Sequence, residues 1–317
     1  MAIHLSVDAG GSKVKIIAYD EDFKPILRCR VGSLRRNSTP KDVWQAHLDD
    51  LLTQLSPLRG RRIGLISGVL DGGFADHIAT LCPVDTVRNL GEAKIGLGAS
   101  CIDGDAMLAL SGTGCTIFAR EKGNNFSCGG YGAVIDDSGS GYHMGRSAFV
   151  AAIESYEGRG PHTILTDLIC EKLGHDDLRQ AIFSIYKQNE IAPIALVASC
   201  SKLVSTAAER GDTVALNILK SEGELVSKQV LALHRKAGLA CDIPITISGG
   251  NWHAHRVFFD SFASAINREL PKAPLIIPRV EPIVGPIYLH AAESRGCSLS
   301  EAARELEMYY DEEKFIL

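Results

Sequence analysis

The first apolar stretch covers residues 3–7, breaks at Asp8-Ala9-Gly10-Gly11-Ser12-Lys13, and resumes with β-branched residues at 14–19. A charged turn, Asp20-Glu21-Asp22, follows. Strand, glycine turn and strand predict a β-hairpin. The same grammar returns about a hundred residues on. Residues 106–110 run into Ser111-Gly112-Thr113-Gly114, and residues 115–119 leave it before Arg120-Glu121-Lys122-Gly123. That recurrence predicts an internally duplicated fold. A third apolar strand at 243–247 ends in Ser248-Gly249-Gly250-Asn251.

Between the hairpins the period changes. Val43, His47, Leu48, Leu51, Leu52 and Leu55 have helical spacing, residues 63–66 read as a buried strand, and a strand at 85–88 leads into a short helix at 92–100. From 147 to 239 the pattern is almost wholly helical, with segments at 164–173, 177–187, 194–209 and 214–236, and an amphipathic helix follows at 299–312. Alternating strands and helices give an α/β architecture, and the helical block marks a second, helix-rich domain. A chain of 317 residues is long enough for two cores. The expected division is 1–118 for the first lobe and 119–297 for the second, with a terminal helix at about 298–317 returning to the first.

Composition narrows the function classes. With 45% hydrophobic and 22% charged residues the chain is an ordinary globular protein and not a disordered one. A net charge of −5 offers no basic field to nucleic acid or to an anionic membrane. Nine scattered cysteines with no Cys-x-x-Cys pair predict free thiols in a reducing compartment. No basic-then-apolar leader opens the sequence and no apolar run approaches membrane-spanning length, so a cytoplasmic protein is expected. The 31 glycines exceed the usual share of about 7%, and they are expected in turns that approach a ligand.

Successive backbone N–H groups in a glycine turn form an anion-binding nest. Ser12 and Thr113 add hydroxyls, and Lys13 adds a point charge. Neither a Walker loop nor a dinucleotide fingerprint is present, because the first glycines join two strands rather than opening a helix. Each turn alone reads equally well as a tight hairpin; the matched pair favours a phosphate clamp.

Taken in order, Asp8-Ala9-Gly10-Gly11-Ser12-Lys13, Ser111-Gly112-Thr113-Gly114 and Ile247-Ser248-Gly249-Gly250 resemble the first phosphate, second phosphate and adenosine motifs of the sugar kinase/Hsp70/actin superfamily. The segment Gly129-Gly130-Tyr131-Gly132-Ala133-Val134-Ile135-Asp136-Asp137-Ser138-Gly139-Ser140-Gly141 is similar to the glycine-rich segment of N-acetylglucosamine kinases, which share a domain type with BadF/BadG/BcrA-type ATPases. Gly158-Arg159-Gly160-Pro161 with Thr163 and Leu165, and Ala207-Ala208-Glu209-Arg210-Gly211-Asp212, extend the resemblance over nearly the whole chain.

The resemblance implies two ribonuclease H-like (actin-like ATPase) domains with a nucleotide cleft between them, and ATP and Mg²⁺ as cofactors. It puts Mg²⁺ near Asp8, usually through water, and the ATP phosphates on Gly10, Gly11, Ser12 and Lys13 and on Gly112, Thr113 and Gly114. Gly249 and Gly250 take the adenosine side. The family base is an Asp in Asp-Ala-x-x-Ala-Leu about twenty residues before the Gly-Thr-Gly turn. Here Glu92-Ala93-Lys94-Ile95-Gly96-Leu97 fits, with Glu in place of Asp; a second register sets Leu90 there and leaves no base. A carboxylate at a helix N-terminus keeps its charge, as a base must; the plain reading of Glu92 is a first-turn residue. The sugar set is Asn37, Thr113, Tyr131 and Asp137, although Asp136 and Ser138 depart from the family's Gly and Glu, and Tyr131 stands where Trp is commoner. As plain readings, Asn37 is a turn residue and Tyr131 a core aromatic. His143, His253 and His255 read as ordinary polar residues without a carboxylate or Cys partner at metal spacing.

The function implied is a phosphotransferase with an alcohol acceptor, moving phosphate from ATP to the 6-hydroxyl of N-acetylglucosamine. Glucosamine and N-acetylmuramic acid are the alternative substrates; Arg35 and Arg36 would meet a lactyl carboxylate or else be a solvated pair. Two further classes stand beside it. A BadF-type ATPase activator would need cluster-bridging cysteines, and Cys101, Cys115 and Cys128 are not so arranged; a non-catalytic sugar sensor follows from the Leu90 register. The partner expected is a small amino sugar, with neither nucleic acid nor membrane, and a homodimer is the assembly in view.

Overall fold

The computed structural model describes residues 2–36, 39–70, 73–186 and 192–317. Contacts divide the chain into Met1–Leu108 with Ile276–Ile316, and Ala109–Leu275. The first unit opens with β1 (Ile3–Ala9), β2 (Lys13–Tyr19), β3 (Pro25–Gly32), α1 (Lys41–Gln54), β4 (Ile63–Val69), α2 (Phe74–Ala79), β5 (Val87–Asn89) and α3 (Glu92–Ala99). Its sheet runs β3-β2-β1-β4-β5. β1 pairs antiparallel with β2 and parallel with β4, so Asp8 lies opposite both Lys15 and Val69. The pleat sorts β1 by parity. Ile3, Leu5, Val7 and Ala9 enter a core with Leu48 and Leu51 of α1, Leu55 just after it, and Phe74 and Ile78 of α2. His4, Ser6 and Asp8 point to the other face.

The second unit contains the second half of β6 (Ala106–Ser111), then β7 (Cys115–Glu121), β8 (Asn124–Gly129), α4 (Gly141–Tyr156), α5 (Leu165–Leu173), α6 (Leu178–Tyr186), α7 (Ala192–Ser199), α8 (Ser201–Glu209), α9 (Thr213–Ala237), β9 (Ile245–Ser248), α10 (Arg256–Glu269) and the first residue of β10 (Leu275–Ile276). Its sheet runs β10-β9-β6-β7-β8, which read from the far edge is the order of the first sheet, strand for strand. Internal duplication is therefore visible in the topology. Asp212 caps the 25-residue α9, accepting from the N–H groups of Val214 and Ala215. Gly238, left-handed at φ 64°, ends it after His234, Arg235 and Lys236, which complement the dipole.

The chain then returns to the first unit with α11 (Gly285–Arg295) and α12 (Leu299–Leu306). Ile283, Ile287, Tyr288 and Ala291 cover the face of the first sheet that carries Ile17 and Tyr19. The returning segment thus starts at Ile276, where only a terminal helix from about 298 was expected. The division falls within β6, after Leu108 rather than after residue 118, since β6 and β7 both belong to the second sheet.

Other expectations shift locally. The helix expected at 194–209 breaks at Cys200, where Ser199 Oγ donates to Leu196 O and Ser201 Oγ to Ala198 O, and backbone bonds tighten to i→i+3. The helix expected at 299–312 ends at Leu306 and continues as two 3₁₀ turns. The end of the segment at 177–187 lies outside the described residues.

Candidate functional site

In the first unit, Asp8, Lys13 and Lys15 share one face of the β1–β2 hairpin by parity, and Gly10 N–H closes the turn on Lys13 O at 2.9 Å. Burial pushes Asp8 up to about 6, with Lys15 and Lys13 opposing and Glu92 and Glu281 adding to the rise. Burial also lowers Lys13, helped by Lys15 and Arg30. Lys15 Nζ pairs with Glu281 Oε2 at 3.3 Å. Lys15 and Glu281 were not singled out in the sequence: Lys15 was hidden inside a strand, and Glu281 comes from the returning segment.

Glu92 is the first residue of α3, after Gly91 at φ 76°. It accepts from Arg35 Nη2 at 3.3 Å, and its charge is felt at Asp8. Leu90 instead lines an open cavity of about 390 Å³ with Ser67, Arg88 and His290. Arg36, an exposed residue, stacks its guanidinium 4.4 Å from the Trp44 ring centre. Asn37 lies outside the described residues.

In the second unit the turn at 111–114 is held from several sides. Gly112 N–H donates to Gly114 O at 2.9 Å, and Gly141 N–H, from the first turn of α4, donates to Gly112 O at 2.8 Å. Asn251 Nδ2 reaches Ser111 Oγ at 3.0 Å and Gly112 O at 2.9 Å, tying the third glycine turn to the second. Gly249 makes that approach possible: at φ 102° its absent Cβ would lie 2.3 Å from Ser111 O. Gly250 follows it into a 3₁₀ turn. Asn251 was visible in the sequence only as the residue ending a strand–Gly-Gly turn.

Asp137 packs against the same turn. It is 6% exposed, adopts a left-handed φ of 68°, and its Oδ2 would stand 3.0 Å from a Cβ at Gly114. Burial raises its pKa, although backbone N–H groups of Gly132 and Cys115 pull the other way. Oδ1 is buried without a hydrogen-bond partner. Thr113 is half-buried, whereas Tyr131 is 74% exposed and so is not a core aromatic. Cys115, beside this turn, is pushed up to about 12 by burial.

His143 departs from its sequence reading. Its Nδ1 lies 2.8 Å from Glu222 Oε1, a carboxylate 79 residues away that no local spacing could reveal. Among the described residues no group of three or more His, Cys, Asp or Glu side chains is placed to hold a metal, and no helix is long and apolar enough to cross a membrane.

The family model for the BadF/BadG/BcrA/BcrD ATPase family matches residues 5–289. The chain is 28% identical over 306 residues to the N-acetylmuramic acid/N-acetylglucosamine kinase of Clostridium acetobutylicum, covering 91% of this chain and 98% of that one. It is 23% identical over 314 residues to the N-acetyl-D-glucosamine kinase of Dictyostelium discoideum, covering 90% and 97%. A solved structure of a candidate N-acetylglucosamine kinase from Porphyromonas gingivalis matches with a TM-score of 0.68 at 17% identity, covering 92% and 98%. The structural likeness shows the fold: two ribonuclease H-like units of the kind found in actin-like ATPases and sugar kinases.

Proposed function

This chain belongs to the BadF/BadG/BcrA/BcrD ATPase family, and on that premise we propose that it is an ATP-dependent kinase of an amino sugar. The acceptor is the 6-hydroxyl of N-acetylglucosamine or a close relative. One observation carries the sugar reading: Asp137 Oδ1, buried and unpartnered beside the glycine turn at 112–114. A buried acceptor without a donor costs about 1–3 kcal/mol, which a sugar hydroxyl would recover. The kinase names of the relatives from Clostridium acetobutylicum and Dictyostelium discoideum support the same class.

In this reading Glu92 takes the proton from the attacking hydroxyl. It is the first residue of α3, and it accepts a hydrogen bond from Arg35 Nη2 at 3.3 Å. Gly11, Ser12 and Lys13, with Thr113 and Gly114, meet the ATP phosphates through backbone N–H groups and the two hydroxyls, while the N–H groups of Gly10 and Gly112 close the two turns. Gly250, with open space around it, leaves room on the adenosine side, Gly249 lets that turn press against Ser111, and Tyr131 offers an exposed ring to the sugar. Asp8 fits Mg²⁺ as a single hard oxygen donor at a strand end, because this ion keeps most of its waters and takes phosphate oxygens rather than a full protein cage. When bound, Mg²⁺ supplies positive charge to the phosphate oxygens. The nine free cysteines fit a reducing, cytoplasmic setting.

The test is ADP release from protein and ATP-Mg with N-acetylglucosamine, glucosamine or N-acetylmuramic acid, followed by NMR of the phosphorylated product. A 6-phosphate from one of these sugars is the expected product. No sugar-dependent ADP with any of them overturns the kinase reading, and phosphate at another position overturns the 6-hydroxyl.

A further inference from the structure

Glu222 stands in the apolar stripe of α9, between Leu219 and Val226, and is 2% exposed. A buried carboxylate is costly unless it is matched by hydrogen bonds or charge. Its partners all come from the glycine-rich segment or the helix that follows it. Oε2 accepts from Gly139 N–H at 3.0 Å, and Oε1 accepts from Ser147 Oγ at 3.2 Å and faces His143 Nδ1 at 2.8 Å. Gly139 is fixed at its other end too, where its carbonyl accepts from Ser111 Oγ at 2.6 Å. Two turns further along α9, Gln229 Nε2 donates to Ser138 O at 2.6 Å.

The single peptide group joining Ser138 to Gly139 is thus fastened to one long helix by both its C=O and its N–H, and the residue immediately before Ser138 is Asp137. Its left-handed backbone costs on the order of 1–3 kcal/mol and persists only when its surroundings hold it. Gly139 has room for no substitute, since its own φ is 83° and a Cβ would meet Val226 Cγ2 at 2.3 Å. The backbone that carries Asp137 is therefore anchored to α9 on its C-terminal side.

We propose that Glu222 is a positioning residue. Through Gly139 N–H it aims the Asp137 carboxylate at the sugar, with Gln229 as a second fastening. The proposal rests on the sugar-kinase reading for its ligand and on geometry alone for the clamp.

The test compares Glu222→Ala, Glu222→Gln and Gln229→Met with the wild-type protein. E222A should raise the sugar KM about tenfold or more while the ATP KM stays within about twofold. E222Q keeps an oxygen for Gly139 N–H and should recover most of that loss, and Q229M should raise the sugar KM in the same direction. An unmoved sugar KM in E222A, or sugar and ATP KM rising together, overturns the proposal. Should E222A not fold, Q229M carries the comparison with the wild type under the same criteria. Hydrogen exchange at the Gly139 amide, without substrate, should quicken about tenfold or more in E222A; unchanged exchange overturns the clamp whatever the turnover. A wild-type protein inactive on every sugar would sink the proposed function by itself, and the exchange result would still decide the clamp.

Discussion

At Glu92 two influences meet: the free N–H groups of the first turn of α3, and the Arg35 guanidinium 3.3 Å away. Both survive replacement by Gln, which cannot accept a proton. Glu92→Gln should therefore lower kcat by about 10²–10⁴ with ATP binding unchanged, measured by turnover and nucleotide titration. A fully active variant would remove Glu92 from the proton path. His143 makes a second prediction. Its hydrogen bond with Glu222 raises it from its ordinary 6.5, with burial working against the rise. The stability this gives is fully present below pH 6.5 and is lost as pH climbs through the raised folded value. Melting curves of wild type and His143→Ala between pH 5.5 and 9 should show a gap on the order of 1 kcal/mol at the acid end that shrinks toward the alkaline end. A pH-independent gap would assign the effect to packing.

Elements differ in how plainly the sequence announces them. The hairpins β1–β2 and β6–β7 were legible because apolar strands flank glycine turns with little between them. β3 was not, since Arg28 and Arg30 alternate with Leu27, Cys29 and Val31 on a sheet edge. β8 is an edge strand too, with no buried residue, and carries almost no apolar signal. Helix α10 hid behind His255, whose Nδ1 accepts from Val257 N–H at 3.2 Å as a cap that propensity does not anticipate. The glycine and acidic positions of the proposed site came from motifs, whereas Glu222 and Gln229 could not be found that way, because their partners are 83 and 91 residues away. One clue was available: a lone acid inside an apolar stripe of a long helix. For α9 itself, Asp212 holds four groups, the N–H groups of Val214, Ala215 and Ile164 and the hydroxyl of Thr163. Asp212→Ala should cost about 1–2 kcal/mol in urea unfolding. Gly249→Ala places a methyl against Ser111 O at a backbone angle that L-residues rarely adopt, and should cost at least ~2 kcal/mol by the same measurement.

For the molecule as a whole, the decisive fact is that the first unit is completed by the end of the chain. Ile283, Ile287 and Tyr288 close over Ile17, Tyr19 and Phe23, and Tyr310 Oη donates to Phe23 O at 2.5 Å. A chain stopped after Leu275 should leave that face bare, and so bind hydrophobic dye and precipitate; a soluble, cooperatively melting product would contradict this. The α/β architecture was readable from alternating strands and helices and the duplication from recurring hairpins, but the length of the returning segment was not. Its packing is tertiary: Val280 and Val284 show no partner until the first sheet exists.

That interleaving also sets an order in time. A ribosome completes residues 109–275 before it makes 276–316, so the unit that begins second has all of its chain first. At 5–20 residues per second, the opening 108 residues wait roughly 10–40 s for α11 and α12. Throughout that wait Ile17, Tyr19 and Phe23 lie open, and the nascent chain is most exposed to chaperones at its oldest end.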